Sequence, residues 1–500
     1  MTDLSHPEST NDDALDRLRL EAKRMQRAWI ARDTWAVERI RQYLPHKRGD
    51  LLRADFLHVV AQENGFSSWP VLKAEATRQG FDRAEAQQRL KIALVHGQTG
   101  IVAQLLEGRP DLADGLFGLE CALYRRAAVE SALARDTSLA VKPFGPRTAF
   151  QHLAFSKWIT MRPELAEDML GVADALHAAG ADISAPLDTP GWRVTPLFGA
   201  VSAGNVALLR WLLDHGAAPE GDALYHATEL ADGTALDLLL QAGARIAGTN
   251  ALHRAMDFDD AAKVAALLAA PDASEELASA EIPVLHHAAR RGCSAQIVDL
   301  LLQAGADPDR PWQGVSAYAF ARVHGAGALV DRLDPTPLTP QETLLAQAAE
   351  RQASPGKYLD PNALPAPYAN LVHEVLTRPG GLAHVRALVA LGLPWDAPDA
   401  QGVTPVQLAG YHGLAEVVEG LLALRPDLSH VNDYGGTLLT TILHGAESCP
   451  TRDRGDYRAC LQLVLEAGVA LPRRAIRSTG RADLRDFLSD WAEARPGQVV

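Results

Sequence analysis

The sequence predicts an all-α protein in which pairs of short helices stack in a row. One phrase recurs along the chain: a helix rich in small apolar residues, a glycine, a Leu-rich helix and then Gly-Ala. Several copies begin with Thr-Pro, and several lie 33 residues apart. Because repeated helix pairs grow by stacking on their neighbours, 500 residues need not divide into three separate cores.

The clearest copy shows why each part of the phrase is there. Thr195 is expected to cap the first helix, with Pro196 in its first turn, where a missing amide hydrogen costs nothing. Gly204 ends that helix, Asn205 caps the second, and Gly216 supplies the left-handed residue that follows it. The buried face of the second helix is predicted from the spacing i, i+3, i+7, which selects Val206, Leu209 and Leu213.

Other copies keep the same period. The distance along the chain is 33 residues from Leu252 to Leu285 and again from Leu285 to Tyr318. After a gap, the same spacing separates Val406 from Leu439. A period of this length, carried by helix pairs, indicates a solenoid of repeats.

These copies are similar to the motif Thr-Pro-Leu-His-x-Ala, which is the signature of ankyrin repeats. The chain resembles ankyrin repeat proteins of a class common in bacteria, and the segments around Leu20 and around Trp69-Pro70 resemble the helical leader of that class. The resemblance implies an ankyrin-repeat solenoid with short extended fingers and an N-terminal helical leader. It implies stacking and binding, with no shared activity. Leu197 and Leu224 depart from the pattern, because Phe and Tyr follow them in place of His and only 27 residues separate them.

Composition narrows the class of protein and its compartment. Net charge is −14, from 48 Lys and Arg against 62 Asp and Glu, and a spread negative charge argues against a nucleic-acid partner. The four cysteines include no C-x-x-C pair, which indicates a reducing compartment. The polar, acidic start lacks the pattern of a signal peptide, and no run approaches the roughly 18 apolar residues that span a bilayer. We therefore expect a cytoplasmic protein with no membrane partner.

Five parts are expected along the chain. In order, they are a disordered tail over 1–14, a helical leader and cap over 15–82, a first repeat block over 83–333 with an insertion near 116–147, a proline-rich joint over 334–367 with a short helix, and a second repeat block with its cap over 368–500. Within the leader, the segment from Arg17 to Arg48 contains ten Lys or Arg residues and only three acidic residues. A solvated helix face explains this excess, and a partner-docking face is the alternative.

Patterns typical of catalysis or metal binding are missing from the sequence. There is no H-x-x-x-H or H-E-x-x-H arrangement, no P-loop, no G-x-S-x-G elbow and no G-x-G-x-x-G that opens a helix after a strand. We expect neither a metal nor a cofactor. Cys449 and Cys460 are expected to be buried and idle, because no base can be identified for either thiol.

Histidines occur at recurrent places. His253 and His286 hold the fourth position of the phrase, where the resemblance implies a structural imidazole that bonds between neighbouring turns. His287, His324 and His412 have no such explanation.

The segments between one repeat and the next carry conspicuous aromatic residues. In an ankyrin stack these segments project as fingers beside the concave face, so their rings are not needed for the core; they are Trp192, Trp312, Trp395 and Tyr434. Acidic residues accompany them, at Asp188, Asp307, Asp309, Asp396, Asp399 and Asp433. The alternative is that each ring packs on the next finger and the aspartates only cap turns. The floor of the same groove is expected at Arg290, Arg291, Tyr411 and His412.

These features favour a protein-interaction scaffold. It would bind a partner protein with basic and apolar anchors through the concave groove and the finger loops, without catalysis. The alternative is an enzyme or small-molecule binder that uses the groove as a pocket, with candidate residues His287, His412, Asp259 and Tyr411. A closed apolar cavity with convergent polar groups would favour the alternative.

Overall fold

The computed structural model describes residues 11–44, 47, 51–63, 68–70, 83–189, 192–219, 222–352 and 356–500. The chain forms two compact units, residues 1–96 with 101–116 and residues 97–100 with 117–500. Helices dominate both units, which confirms the predicted all-α class. Among the described helices, none combines the length and the apolar character that crossing a bilayer requires.

The first unit contains helices α1 to α5, which are Asn11–Ile30, Thr34–Tyr43, Arg53–Glu63, Arg83–His96 and Thr99–Gly108. The first three pack around a core that includes Met25 and Phe56. Arg39 on α2 joins the two neighbouring helices: its Nη2 lies 2.6 Å from Oε1 of Glu21, and its Nε lies 2.7 Å from Oε1 of Glu63. A buried cluster and a shared arginine therefore hold these helices together.

The second unit contains the remaining helices. Helices α6 to α14 are Phe117–Ala122, Arg126–Arg135, Ala149–Ala154, Trp158–Met161, Ala166–Ala178, Pro196–Ser202, Val206–Asp214, Ala223–Ala227 and Thr234–Gln241. Helices α15 to α22 are Ala251–Asp257, Ala261–Leu268, Ala273–Ser279, Val284–Arg291, Ala295–Gln303, Ala317–His324, Gly327–Val330 and Pro340–Ala349. Helices α23 to α30 are Leu371–Leu376, Gly381–Ala390, Pro405–Tyr411, Ala415–Leu422, Leu438–Ser448, Tyr457–Glu466, Arg473–Ser478 and Ala482–Ala494. Short 3₁₀ turns lie at Thr137–Ala140, Pro163–Leu165, Pro361–Ala363, Ala366–Tyr368, Arg452–Arg454 and Pro496–Gln498.

These helices form two layers, as a solenoid of helix pairs requires. The first helices of successive pairs pack on one another in the order α8, α11, α13, α15, α18 and α20. The second helices do the same in the order α10, α12, α14, α16 and α19. After the joint, the order of first helices resumes with α23, α25 and α27. Helix α23 also packs against α18, so the two repeat blocks touch across the joint.

In the part of the chain that the structure describes, strands occur only in short extended fingers, as predicted. Pro143–Phe144 pairs with Arg147–Thr148, and Leu187–Thr189 pairs with Trp192–Val194, both antiparallel. In the second hairpin, Leu187 lies opposite Val194. A single bridge joins Trp312 to Val315 in a later finger.

The caps predicted for the clearest copy are confirmed. The hydroxyl of Thr195 accepts the amide of Phe198 (3.3 Å), and the side chain of Asn205 accepts the amide of Leu208 (3.1 Å). Gly204 has a φ of 64°, in the left-handed region that favours glycine.

The predicted buried face of the second helix in this copy is wrong in two of its three residues. Val206 and Leu213 are half-buried, whereas the buried leucines are Leu208, Leu209 and Leu212. This helix, α12, packs against α10 on one side, α14 on the other and α11 beneath. A helix that packs against three neighbours buries a wider part of its circumference than the single row of residues at i, i+3 and i+7.

Several boundaries differ from the expected organisation. Residues 83–96 and 101–116 lie in the first compact unit with the leader, and α1 already begins at Asn11. Where an insertion was expected near 116–147, helices α6 and α7 form a further pair that packs on α8 and α10. The short helix expected in the joint is α22, which packs on α20.

Candidate functional site

Two consecutive fingers, residues 394–403 and 427–436, form one surface, which we call the double finger. Three hydrogen bonds join them: from the amide of Asp433 to the carbonyl of Gln401 (3.1 Å), from Nε2 of His430 to the carbonyl of Gly402 (2.6 Å), and from the amide of Asp427 to Oδ2 of Asp396 (3.0 Å). The two fingers are thus held as one structural piece.

Polar side chains also stiffen each finger from within. Oδ1 of Asp399 accepts the amides of Gln401 (2.9 Å) and Val403 (2.8 Å). In the second finger, Oδ1 of the buried Asn432 accepts the amides of Tyr434 (3.2 Å) and Gly436 (2.8 Å). Asp399 therefore bonds to its own turn in the way that the alternative interpretation expected of turn-forming aspartates, whereas Asp396 bonds to the next finger.

The outer surface of the double finger is apolar and acidic. Tyr434 is 77% exposed and Val431 is 51% exposed, and Asp433 between them is exposed as well. Trp395 on the first finger is half-buried. Tyr434 thus presents a large ring to solvent from a backbone that is fixed by hydrogen bonds.

Trp312 was expected to be free of the core, and the structure contradicts this. Its ring centroid lies 5.7 Å from that of Phe320 and 6.1 Å from that of His286. The guanidinium of Arg290 lies over the ring, 5.0 Å from its centroid. The reason is that α18 and α20 present these side chains directly beneath the finger. On the same finger, Asp307 and Asp309 are exposed.

The hairpin of strands Leu187–Thr189 and Trp192–Val194 contains Asp188 and Trp192. Asp188 pairs with Arg193 across the two strands, and Trp192 pairs with Thr189. The side chains of Asp188 and Trp192 lie outside the part of the chain whose side chains the structure describes.

The expected floor residues lie at the far end of the helices from the double finger. Tyr411 is the last residue of α25 and His412 follows it, whereas the first finger precedes the first turn of this helix. Seven helical residues rise about 10 Å. Arg290 and Arg291 stand at the same end of α18 and are paired: Nε of Arg290 lies 3.0 Å from Oε1 of Glu374, and Nε of Arg291 lies 2.6 Å from Oδ1 of Asp257. The expected floor residues thus lie at the ends of the first helices, although the guanidinium of Arg290 reaches the ring of Trp312 on a finger.

Asp257 is the centre of one cluster at these ends. Oδ1 accepts Nε2–H of His287 (2.9 Å), and Nη1 of Arg254 lies 3.1 Å from Oδ2. Burial favours the neutral acid, but the hydrogen bond from His287 and the charge of Arg291 hold the pKa of Asp257 well below its usual range. Burial also lowers the pKa of His287 to about 4, so this imidazole is neutral at pH 7. Sequence reasoning did not find Asp257.

Glu374 is the centre of a second cluster, across the joint. Nε2 of His324 lies 2.7 Å from Oε2 of Glu374, and Nδ1 of the same imidazole lies 2.9 Å from the carbonyl of Phe320. Burial opposes the ionised form of Glu374, but the bond from His324 and the charge of Arg290 lower its pKa. The guanidinium of Arg378 donates to the carbonyl of His324. These contacts join α23 to α18 and α20.

The four candidate catalytic residues do not form one site. His287 bonds to Asp257, and Oδ1 of Asp259 accepts the amide of Ser294 (2.7 Å) at the start of α19. Among the described contacts, only the neighbouring rings of Tyr411 and His412, 5.3 Å apart, join two of the four. The described residues include no group of three or more His, Cys, Asp or Glu side chains arranged to hold a metal ion.

The structural role predicted for the recurrent histidines is confirmed. Nε2 of His253 lies 2.8 Å from the carbonyl of Ile282, and Nε2 of His286 lies 3.0 Å from the carbonyl of Val315. Each imidazole therefore bonds to the backbone that leads into the next repeat.

Sequence reasoning missed a partner for Cys449, whose thiol was expected to be idle. Its Sγ lies 3.6 Å from Nδ1 of His412 and 3.4 Å from Oγ1 of Thr451. His412 ends α25, and Cys449 ends α27, the first helix of the next pair. The repeat period did not indicate this contact, because Cys449 stands at the start of the connection 449–456, which departs from the repeat.

The comparisons with known proteins agree with the repeat. The family model described as "Ankyrin repeat" matches residues 283–311, which cover α18, α19 and the start of the finger after them. No curated protein matches the chain. Two solved structures are similar to it at 20% identity. The human ASB11 ankyrin repeat domain covers 44% of this chain and 99% of its own, with a TM-score of 0.34. The ankyrin repeat domain of Bcl-3, a member of the IkappaB family, covers 61% of this chain and 97% of its own, with a TM-score of 0.20.

Proposed function

We propose that this chain is a scaffold that binds a partner protein through the double finger and the adjoining groove, without catalysing a reaction. Ankyrin repeats are in general protein-interaction domains, and the family match at 283–311 supports the same general function here. The observation that carries the proposal is Tyr434, a ring 77% exposed at the tip of a finger whose backbone is fixed by Asn432.

Rigidity favours binding at this surface. The three hydrogen bonds between the fingers and the turns at Asp399 and Asn432 order the backbone before any partner arrives. A partner that docks there does not have to offset the entropy of ordering a loop, so more of the contact energy appears as affinity. Tyrosine suits such a position, because its ring supplies a large contact area with few rotatable bonds.

The chemistry of the surface supports a partner with basic and apolar anchors. Asp433 and Asp427 are exposed on either side of the exposed Val431. The net charge of −14 adds a long-range attraction for a basic protein and opposes the approach of a nucleic acid. An arginine with a neighbouring apolar residue would match Asp433 and Tyr434 together.

A reducing compartment such as the cytoplasm fits the cysteines. Cys121, Cys293, Cys449 and Cys460 are all unbridged and buried. Unpaired thiols are common where glutathione and thioredoxin keep proteins reduced.

The proposal is tested by selecting partners from a displayed library of random peptides and then replacing Tyr434. We expect enriched peptides to carry Arg or Lys beside an apolar residue. Tyr434→Ala is expected to weaken them by at least about tenfold, or about 1.4 kcal/mol, since interface tyrosines are frequent hot spots. The melting temperature should not change, because the ring is exposed.

Val141→Ala is the control, since Val141 is 56% exposed and follows the 3₁₀ turn Thr137–Ala140, outside the double finger. It should leave peptide affinity unchanged. Enrichment of acidic peptides, or equal binding to wild type and Tyr434→Ala, would count against the double finger as the binding surface.

A further inference from the structure

Cys449 lies in a cluster of proton-donating side chains that come from three elements. Nδ1 of His412, at the end of α25, is 3.6 Å from its sulfur, and the hydroxyl of Thr451, on the following loop, is 3.4 Å away. Tyr457, on α28, is a third neighbour, and its phenol donates to the carbonyl of Tyr411 (3.0 Å), the residue before His412. Donors that surround a sulfur atom stabilise the thiolate over the thiol.

The other three cysteines have no such surroundings. Cys293 uses its thiol as a weak donor to the carbonyl of Met256 (3.5 Å), and among the described side-chain hydrogen bonds none joins Cys121 or Cys460 to an imidazole. Burial raises the pKa of Cys293 and of Cys460 to about 12, and it also raises the pKa of Cys121. Burial acts on Cys449 in the same direction, but the hydrogen bonds from His412 and Thr451 outweigh it and lower its pKa to about 7.

The loop that carries this site departs from the repeat. Three residues, 412–414, connect the helices of the preceding pair, and three, 292–294, connect those of an earlier pair. Between α27 and α28 the connection is residues 449–456, which include Cys449 and Thr451. Stacking of helix pairs does not require these additional residues. They place the thiol of Cys449 and the hydroxyl of Thr451 beside the imidazole of His412 in the previous repeat.

We propose that Cys449 is a redox-responsive thiol, which hydrogen peroxide or a small organic hydroperoxide oxidises to a sulfenic acid with His412 as the proton donor. In this step the thiolate sulfur attacks one peroxide oxygen, an S–O bond forms and the O–O bond breaks. Sulfur loses two electrons, and the peroxide is reduced. The leaving hydroxide, or alkoxide, takes the proton of the His412 imidazolium and departs as water or an alcohol.

The burial of the sulfur sets the size of the oxidant. Cys449 itself is buried, while His412 and Thr451 beside it are half-buried and reach the surface. A two-oxygen molecule needs a much smaller opening between these side chains than an aromatic disulfide reagent does. The site therefore selects small hydroperoxides over bulky thiol reagents.

The proposal is tested on the full-length protein by a timed exposure to hydrogen peroxide, which is stopped with catalase. The protein is then unfolded in urea that contains dimedone, so that every sulfenic acid is accessible to the label, and the four cysteine peptides are analysed by mass spectrometry. Cys449 is expected to react at least about tenfold faster than Cys460 in the same sample, because only Cys449 has donors that hold a thiolate. The comparison within one wild-type sample does not depend on whether any variant folds. Equal labelling of Cys449 and Cys460, or none at Cys449, would overturn the proposal.

Substitution of His412 gives a second, independent test. His412→Asn is expected to slow labelling of Cys449 by about tenfold and to move the midpoint of its pH profile upwards, since the thiol loses its imidazole partner. Tyr411 and Tyr457, the other titratable groups against the sulfur, stay in place. His444→Asn is the matched control, because His444 contacts Tyr411 but not the sulfur. Identical rates and midpoints in the two variants would contradict the role of His412, provided that circular dichroism shows both to be folded.

Discussion

Individual histidines show how the same residue type serves different ends in this chain. His286 and His253 bond to backbone carbonyls of the following repeat and stabilise the stack. His287 bonds to a carboxylate that two arginines also hold. His412, partly exposed, instead faces a thiol. What distinguishes them is burial and the partner, neither of which can be read from the residue itself.

The buried histidines predict that the protein is sensitive to acid. Burial lowers the pKa of His286, His287 and His384 to about 4 in the folded chain, whereas an unfolded histidine titrates near about 6.5. Between those values the unfolded state binds more protons, so the free energy of unfolding falls as the pH is lowered from about 6.5 to about 4. Each histidine contributes a slope of up to about 1.4 kcal/mol per pH unit. Urea denaturation at a series of pH values measures this slope.

His286→Gln provides the control for this prediction. An amide can still donate to the carbonyl of Val315 but does not titrate, so the slope should become shallower by the share of one histidine. A slope that is unchanged in the variant would show that His286 does not contribute to acid sensitivity.

At the scale of elements, local sequence and packing make separate contributions. The threonine and asparagine caps around α11 and α12 were predictable, because a cap depends on residues only three positions away. The buried face of α12 was not, because it depends on the three helices that surround it. The fingers were predicted as connections, yet the packing of the half-buried Trp312 depends on side chains that the neighbouring first helices supply.

The second finger of the double finger should lose its rigidity when Asn432 is replaced. Asn432→Ala removes the acceptor for the amides of Tyr434 and Gly436, and unsatisfied buried amides cost about 1–3 kcal/mol. We expect faster hydrogen exchange over residues 432–436 and weaker binding of the selected peptides, although Tyr434 itself is intact. Asp309→Ala, an exposed aspartate on another finger, should change neither quantity. Protection of 432–436 at the wild-type level would show that Asn432 does not hold the finger.

At the scale of the second unit, the joint is a packed junction. Helix α23 touches α18 as well as the next first helix, so the two repeat blocks share one set of contacts across residues 334–367. Glu374 stands at this junction with Arg290 and His324. A smooth solenoid, in which each pair contacts only the next, has no such contact.

Removal of Glu374 is therefore expected to weaken both blocks. Glu374→Ala leaves the half-buried Arg290 and the buried His324 without their carboxylate, and removing one partner of a buried pair typically costs about 3–5 kcal/mol. Glu350→Ala is the matched control, since Glu350 pairs with Arg322 at the surface and such pairs contribute about 0–1 kcal/mol. Denaturant midpoints of the two variants measure the difference. Equal midpoints would mean that the junction does not stabilise the fold.

The sequence by itself determined the helix-pair repeat, its period, its caps and the positions of its fingers, because these depend on residues within a few positions or one period of each other. Only the tertiary structure decided which side chains meet across repeats. Examples are the contacts of Glu374 with His324 and of Cys449 with His412, 50 and 37 residues apart. The physical reason is that such contacts arise where the joint and the loop 449–456 interrupt the period, and the spacing of a repeat cannot predict the geometry of its interruptions.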